Sequence, residues 1–452
     1  MNTKTKRRIQ APVVADEEEK RIMPILPDDI IVNILFMLPV ESICRFRCVC
    51  KYWCHKLLDV KDPNFIKSRR KHGFESEKVH CFSVFEERNA HAQYEFYMYN
   101  NITKSSVFKD DYYGCVKIDS PFKSQVVDDK SLERIDILSS CNGLVMMKGY
   151  FVDDSLWLWN PSTKESMEIV IPKIKYGQPK ITNLSNVTYG FGYDRDTNDY
   201  KIVKATCYGY NFFGVYYGCQ VQVYISSSHS WKTLPNIPYI IDGYRNKAEA
   251  IFVCGAFHWR ARNLETHDTC ILAFDIHGEK FREVTLTQQV YELFDNMDYR
   301  LHISLGVLQG CLCIILLCKD GSEIEVWMMK DYKVRESWTK LFIAQVPAVF
   351  SNPIRYVKIL WEFKNGEVLL VTTTVCESNT CFFTYDLVSQ KTDVTAIQHI
   401  PTNEKWNIVA YVENLVSLRS IGVLRKRPRT CTQGSRKSVR LANKAQLIGR
   451  NC

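Results

Sequence analysis

The chain has 452 residues, 46% apolar and 24% charged, which is too long for one small core and too apolar for a disordered chain, so two or more folded units are expected. No apolar run reaches the ~20 residues that span a bilayer, and the first 20 residues lack the apolar centre of a secretory signal, which predicts an intracellular protein. The net charge of +9 belongs to the tail: residues 425–450 carry nine basic and no acidic side chains and residues 1–20 carry a net +1, so the body sums to −1 and a nucleic-acid-binding body is disfavoured.

Residues 1–22 read as a disordered tail and residues 23–72 as a small helical domain. Pro27 suits a first helical position, and Asp28 and Asp29 suit the positive end of the helix dipole. Ile30, Ile31, Ile34, Leu35 and Leu38 then recur at helical spacing until Pro39 stops the run. A second short helix carries Ile43, Phe46, Arg47 and Val49, and a third carries Trp53 and Leu57 before Asp62-Pro63. A unit of about 40 residues cannot bury this much apolar surface within itself, so the excess must meet a partner or the rest of the chain.

From about residue 78 to 418 the period changes to two, and aromatic and β-branched residues predict a mostly β domain. One kind of segment recurs six times, a strand ending in an aromatic-plus-polar turn, beginning at Tyr94, Leu156, Val221, Ile271, Ile324 and Phe382. Glycine-punctuated apolar strands fall between them, beginning at Ser140, Gly190, Ala250, Ser304 and Glu362. Matching points lie ~50–65 residues apart, near the period of propeller repeats, and closing blades into a ring protects strand edges. The expected fold is therefore α+β and multidomain, a three-helix unit followed by an irregular six-bladed β-propeller, with a β-sandwich as the alternative.

The eighteen cysteines show no framework spacing, so free thiols are expected rather than disulfides, including Cys44, Cys48, Cys50 and Cys54, read as small buried hydrophobes rather than zinc ligands. No nucleophile elbow, phosphate-binding loop or metalloprotease helix occurs, and no cofactor or metal is expected. Asp194, Asp196 and Asp199 have Lys201 beside them and no closing Glu, which favours a turn over a calcium loop. His258, in a dense apolar strand with no partner in the sequence, reads as a core or rim histidine rather than a general base. Tyr208, Tyr210, Phe212, Phe213, Tyr216 and Tyr217, grouped around three glycines, are the candidate target-binding residues, because aromatics on a flexible loop suit interface hot spots; the alternative is a hairpin whose side chains alternate into the core. Residues 425–452 read as a disordered basic tail. Within it Arg425, Lys426, Arg427, Arg429, Arg436 and Lys437 resemble a nuclear localisation signal, so a cytoplasmic or nuclear address is expected.

Leu26-Pro27, Ile34-Leu35, Leu38-Pro39-Val40, Ser42, Arg45-Phe46, Arg47, Val49-Cys50-Lys51 and Trp53 fall where the F-box pattern has them. Cys141–Leu144, Trp159–Thr163, Gly190–Asp194 with Asp199–Val203, Phe257-His258-Trp259, Phe274-Asp275 and Glu336-Ser337-Trp338 resemble the plant F-box-associated, kelch-like domain. The chain is thus similar to plant F-box proteins, among them S-locus pollen F-box proteins and those that control immune-receptor turnover. The resemblance implies a non-catalytic substrate receptor of an SCF-type ubiquitin ligase. Leu26, Pro27, Ile34, Leu35, Leu38, Pro39 and Val49 would contact a Skp-family adaptor, which brings a cullin and a RING subunit, while Phe46 and Trp53 brace the helices. The β domain would select a protein target, with no nucleic-acid or membrane partner. The rival readings are a propeller scaffold that acts outside any ligase and an enzyme with a pocket on the propeller axis.

Overall fold

The computed structural model describes residues 26–38, 40–46, 48–53, 68, 79–87, 93–99, 115–118, 134–150, 155–172, 183–210, 215–241, 250–295, 302–318, 321–347, 354–374, 379–401 and 408–418. The chain divides into two units, residues 1–59 and 60–452. Both terminal tails, and with them the cationic residues from Arg425 to Lys437, lie outside the described residues.

In the first unit, α1 (Asp28–Phe36) opens with two carboxylates in its first turn. Pro27 keeps an extended conformation, φ −56° and ψ 143°, so it caps the helix rather than occupying its first position as the sequence suggested. Its carbonyl accepts from the Ile30 and Ile31 N–H groups at 3.0 and 3.1 Å. The chain tightens after Phe36, with Met37 and Leu38 donating to Ile34 and Leu35 carbonyls, as expected where the next residue is a proline that disfavours α geometry before it. Pro39 itself is not among the described residues. α2 (Val40–Phe46) follows. Leu35 and Ile43 are buried, and the Phe46 and Trp53 rings meet edge to face at 5.7 Å, the brace anticipated from sequence.

The second unit is built from antiparallel sheets. The first contains β1 (Val79–Glu87), β2 (Gln93–Tyr99) and β3 (Cys115–Ile118). The second runs β4 (Arg134–Cys141), β5 (Leu144–Tyr150), β6 (Ser155–Asn160) and β7 (Glu165–Val170). The third runs β8 (Asn183–Asp194), β9 (Asp199–Tyr210), β10 (Val215–Ile225) and β11 (Ser230–Thr233). In the fourth, β12 (Tyr239–Ile241) and β13 (Ile251–Val253) both pair with β14 (Ala256–Asn263), which β15 (Thr269–Asp275) and β16 (Lys280–Val284) follow. After α3 (Gln288–Asp295), the fifth runs β17 (His302–Leu308), β18 (Cys311–Leu317), β19 (Glu323–Met329) and β20 (Trp338–Gln345). The sixth runs β21 (Ile354–Glu362), β22 (Glu367–Thr374), β23 (Asn379–Asp386) and β24 (Lys391–Pro401). The last strand, β25 (Val409–Val412), returns to pair with β1 and completes the first sheet.

The first strands of successive sheets lie beside one another: β4 by β8, β8 by β13, β13 by β17, β17 by β21, β21 by β25, and β25 by β4. Apolar clusters fill the spaces between neighbouring sheets, as with Leu272, Phe257 and Val221 between the third and fourth, and Ile315, Val357 and Leu370 between the fifth and sixth. This is a β-propeller, and the two-layer sandwich considered as an alternative is set aside because the core lies between successive sheets rather than between two layers.

The two recurring sequence segments now have a structural meaning. The aromatic-plus-turn segments are β2, β6, β10, β15, β19 and β23, the third strand of each sheet. Where the strand ends in Asn or Asp, that side chain caps the turn. Asn160 Oδ1 accepts from Ser162 and Thr163 N–H at 2.9 and 3.3 Å, and Asp275 Oδ1 from His277 and Gly278 at 3.0 and 2.8 Å. The glycine-punctuated segments are turns from a sheet's first strand to its second. Only five exist because the first sheet takes its first strand from the far end of the chain.

That closure is held by polar contacts as well as burial. Asn160 Nδ2 donates to the Asn414 and Val416 carbonyls at 3.0 and 2.7 Å. Asn414 Nδ2 donates to Asn142 O at 3.0 Å, and the Glu165 carboxylate accepts from Ser417 Oγ and Leu418 N–H at 2.8 and 2.7 Å. Ser162 and Tyr411 share a hydroxyl–hydroxyl bond. Gly143 is required twice over here: its φ is +77°, and a Cβ would stand 2.2 Å from Asn414 Cβ.

Candidate functional site

On the helical unit, the apolar excess read from the sequence is on the surface. Leu26, Ile30, Ile34, Met37, Val49 and Tyr52 are each between 46% and 64% exposed. Leu26, Ile30, Ile34 and Met37 recur at spacings of four and three, so they lie along one side of the helix and its lead-in. Tyr52 is tied to the start of α1 by donating its hydroxyl to the Asp28 carboxylate.

The expected docking residues divide accordingly. Leu26, Pro27, Ile34 and Val49 are exposed and Leu38 is half-buried. Leu35 is the correction: it is 2% exposed, inside the unit rather than on its surface. The physical reason is helical geometry, since neighbouring residues point about 100° apart and Ile34 and Leu35 cannot share a face. Ile30, Met37 and Tyr52 join the exposed set without having been singled out, although the i, i+4, i+7 spacing from Ile30 was there to find. Cys48 and Cys50 are free and exposed, not buried as expected.

The described part of the aromatic stretch is paired strand, as in the hairpin alternative, with Tyr210 opposite Val215. Tyr208 and Tyr210 belong to β9 and Tyr216 and Tyr217 to β10, while Phe212 and Phe213 lie outside the described residues. A bulge separates Tyr216 from Gly218, whose φ of +121° and a Cβ position 2.4 Å from Ile237 O leave room for no other residue. Tyr208 is half-buried, and its hydroxyl accepts from Asn236 Nδ2 at 2.7 Å. Burial pushes its pKa up. Directly opposite each other beneath the tip, Cys207 and Cys219 form a disulfide with Cα atoms 4.0 Å apart, correcting the expectation that cysteines would all be free. Sequence spacing could not show this, because the pairing depends on strand register.

The acidic turn behaves as read. Asp194 Oδ1 accepts from Asp196 and Thr197 N–H at 3.0 and 3.3 Å. Asp194, Asp196 and His277 bring donor atoms within 4.8 Å of one another. Yet the Lys201 ammonium lies 3.1 Å from Asp194 Oδ2, with both side chains buried, and donates to Ile276 O at 2.8 Å. A lysine thus supplies the positive charge, and the group ties the third sheet to the fourth. Burial alone would raise the Asp194 pKa, but hydrogen bonds from Thr197 and Lys201 hold it down to about 2. His258 is fully buried, and burial pushes its pKa down to about 4.

The profile of the F-box domain matches residues 23–63, and that of the F-box associated beta propeller domain matches residues 79–418. Among curated proteins, the chain is similar to F-box protein CPR1 of Arabidopsis thaliana, 28% identical over 86% of this chain and 88% of that protein. It is also similar to the F-box/kelch-repeat protein At3g23880 of the same plant, 24% identical over 76% of this chain and 87% of that one. Solved structures resemble it distantly. TolB from Acinetobacter baumannii has a TM-score of 0.40 at 11% identity, over 76% of this chain and 72% of TolB, a likeness too remote to carry an argument. With one profile spanning most of the chain and the other its helical unit, this protein belongs to the F-box family whose members carry an F-box-associated β-propeller.

Proposed function

We propose that this protein is the substrate-recognition subunit of an SCF-type ubiquitin ligase. The carrying observation is the exposed apolar set on the helical unit, Leu26, Ile30, Ile34, Met37, Val49 and Tyr52, which water penalises until a partner covers it. A Skp-family adaptor is that partner in this reading, and through it a cullin and a RING subunit. The β domain holds the protein target, with each of its six sheets read as one blade and the Cys207–Gly218 hairpin as a recognition element. The chain then contributes no chemistry of its own; it raises the effective concentration of target near the transferring enzyme. Capture of a purified Skp-family adaptor by the full chain tests this. Absence of capture favours the rival reading, a propeller scaffold acting outside a ligase.

For localisation, the basic tail is proposed to direct the chain to the nucleus, since it holds the chain's uncompensated charge. A fluorescent reporter fused to residues 425–452 should concentrate there. A reporter spread as it is without the tail would leave only a solubilising role.

A further inference from the structure

The Cys207–Cys219 bond stands where three stretches of chain meet. Cys207 lies on β9 and Cys219 directly opposite it on β10. On its other side Cys219 exchanges two backbone hydrogen bonds with Ile237, each 3.0 Å long. The Ile241 N–H donates to Cys207 Sγ at 3.3 Å. Both half-cystines are fully buried in the apolar cluster between the third and fourth sheets, with Ile241 and Trp259. Beyond them, residues 208–210 and 215–218 form the arms of the hairpin. The arms meet residues 236–241 again through the hydrogen bond from Asn236 Nδ2 to the Tyr208 hydroxyl.

Two features make this bond the element that sets the hairpin's shape. Directly opposed residues of an antiparallel pair stand ~4.5–5.5 Å apart at Cα. Here the separation is 4.0 Å, so the bond draws the arms closer than strand pairing alone would. Next to it the ladder is interrupted by the bulge between Tyr216 and Gly218, and Gly218 is pressed against Ile237 O. Two thiols need more room than a bonded pair. Ala205, Val221 and Ile241, fully buried in the same cluster, hold the other side of the pair in a close-packed interior. Parting of the arms therefore runs toward the hairpin end, where the ladder is already broken.

We propose that the Cys207–Cys219 bond is a redox switch for this hairpin, held closed by the bond and opened by a small-molecule thiol. A thiolate attacks one sulfur, the S–S bond breaks, and the other sulfur leaves as a thiolate that takes up a proton. A second thiolate attacks the resulting mixed disulfide and departs as part of a small-molecule disulfide, leaving the second cysteine to be protonated. Two electrons pass from the two thiols to the protein. Because both sulfurs are buried, attack waits until the hairpin parts from residues 236–241, so the contacts along that seam set the rate. The switch stands on the fold alone. Its consequence for target binding rests on the reading of the hairpin as a recognition element.

The test exposes the full chain, purified without reductant, to dithiothreitol. Alkylation and peptide mass spectrometry count the thiols at positions 207 and 219, and hydrogen exchange reads residues 205–210, 215–221 and 236–241. Neither target nor adaptor is present, so the outcome is independent of the ligase reading. The expected result is a bonded pair at the start and, after reduction, exchange about tenfold faster in those three stretches, with rates unchanged in β18 and β19. Asn236→Ala, which removes the hydrogen bond across the seam, should speed reduction about two- to tenfold. Free thiols at both positions before reductant is added, unchanged exchange after reduction, or equal reduction rates with and without the Asn236 side chain would overturn the proposal. Loss of protection throughout the β domain would overturn it as well, since the bond would then be a general staple.

Discussion

The helical unit and the β-propeller place their apolar side chains in opposite ways. In the propeller the largest go inward: Trp259, Phe257, Phe274 and Phe383 are each under 2% exposed. Of the ten large apolar residues exposed among the described residues, six lie between Leu26 and Tyr52, and only Val170, Val334, Ile343 and Val388 come from the whole β domain. The propeller's four are scattered singly through the sequence, which is ordinary for a surface. The concentration on so short a unit is what the docking proposal rests on, and the described residues of the β domain hold no comparable cluster.

The sharpest way to test the self-sufficiency of the β domain is to remove its last strand. Ending the chain at residue 407 takes away Ile408, Val409, Tyr411, Val412, Leu415, Val416 and Leu418, all buried. At ~1.5–3 kcal/mol for each buried side chain, the loss of about 10–20 kcal/mol is as large as the ~5–15 kcal/mol that stabilises a domain. Circular dichroism should show no cooperative unfolding, whereas a chain ending at 424 should melt as the full chain does. A chain ending at 407 with an unchanged melting temperature would contradict the closure.

Acid should act on the propeller through His258. Its pKa falls from 6.5 unfolded to about 4 folded, so the unfolded chain binds a proton that the folded chain refuses. Its contribution to stability is therefore constant above pH 6.5, falls as pH drops toward 4 and levels off below. The slope approaches ~1.4 kcal/mol per pH unit, for a total of about 3 kcal/mol. Denaturant titrations from pH 7 to 4 on the protein and on His258→Gln measure it; equal slopes in both would remove His258 from the account.

On the helical side, Leu26→Ala and Ile34→Ala should each weaken adaptor capture by about tenfold, with the melting temperature unchanged, because those side chains are already in water. Leu35→Ala should instead destabilise its unit by ~2–5 kcal/mol. If all three variants lose capture and stability together, the division between a docking face and an interior fails. A smaller effect is expected at Asn160, where Ala removes two bonds to the closing segment and should cost ~1–3 kcal/mol in thermal unfolding.

Much of this architecture was legible in local pattern. Period 3.6 before residue 54 and period 2 after residue 78 mark the two units, and the six aromatic-plus-turn segments mark each sheet's third strand because one turn chemistry serves them all. The absence of a sixth glycine-punctuated segment was also in the sequence, but its meaning was not. Only the tertiary structure shows that β25 fills the place, since strand pairing across more than 300 residues leaves no local trace. The same holds for the Cys207–Cys219 bond, set by register, and for Tyr332, which reaches His258 from the next sheet. Periodicity states which residues share a face. Which neighbour that face meets is decided when the sheets pack against one another, because the side chains that fill each gap come from parts of the chain with no sequence relation to it.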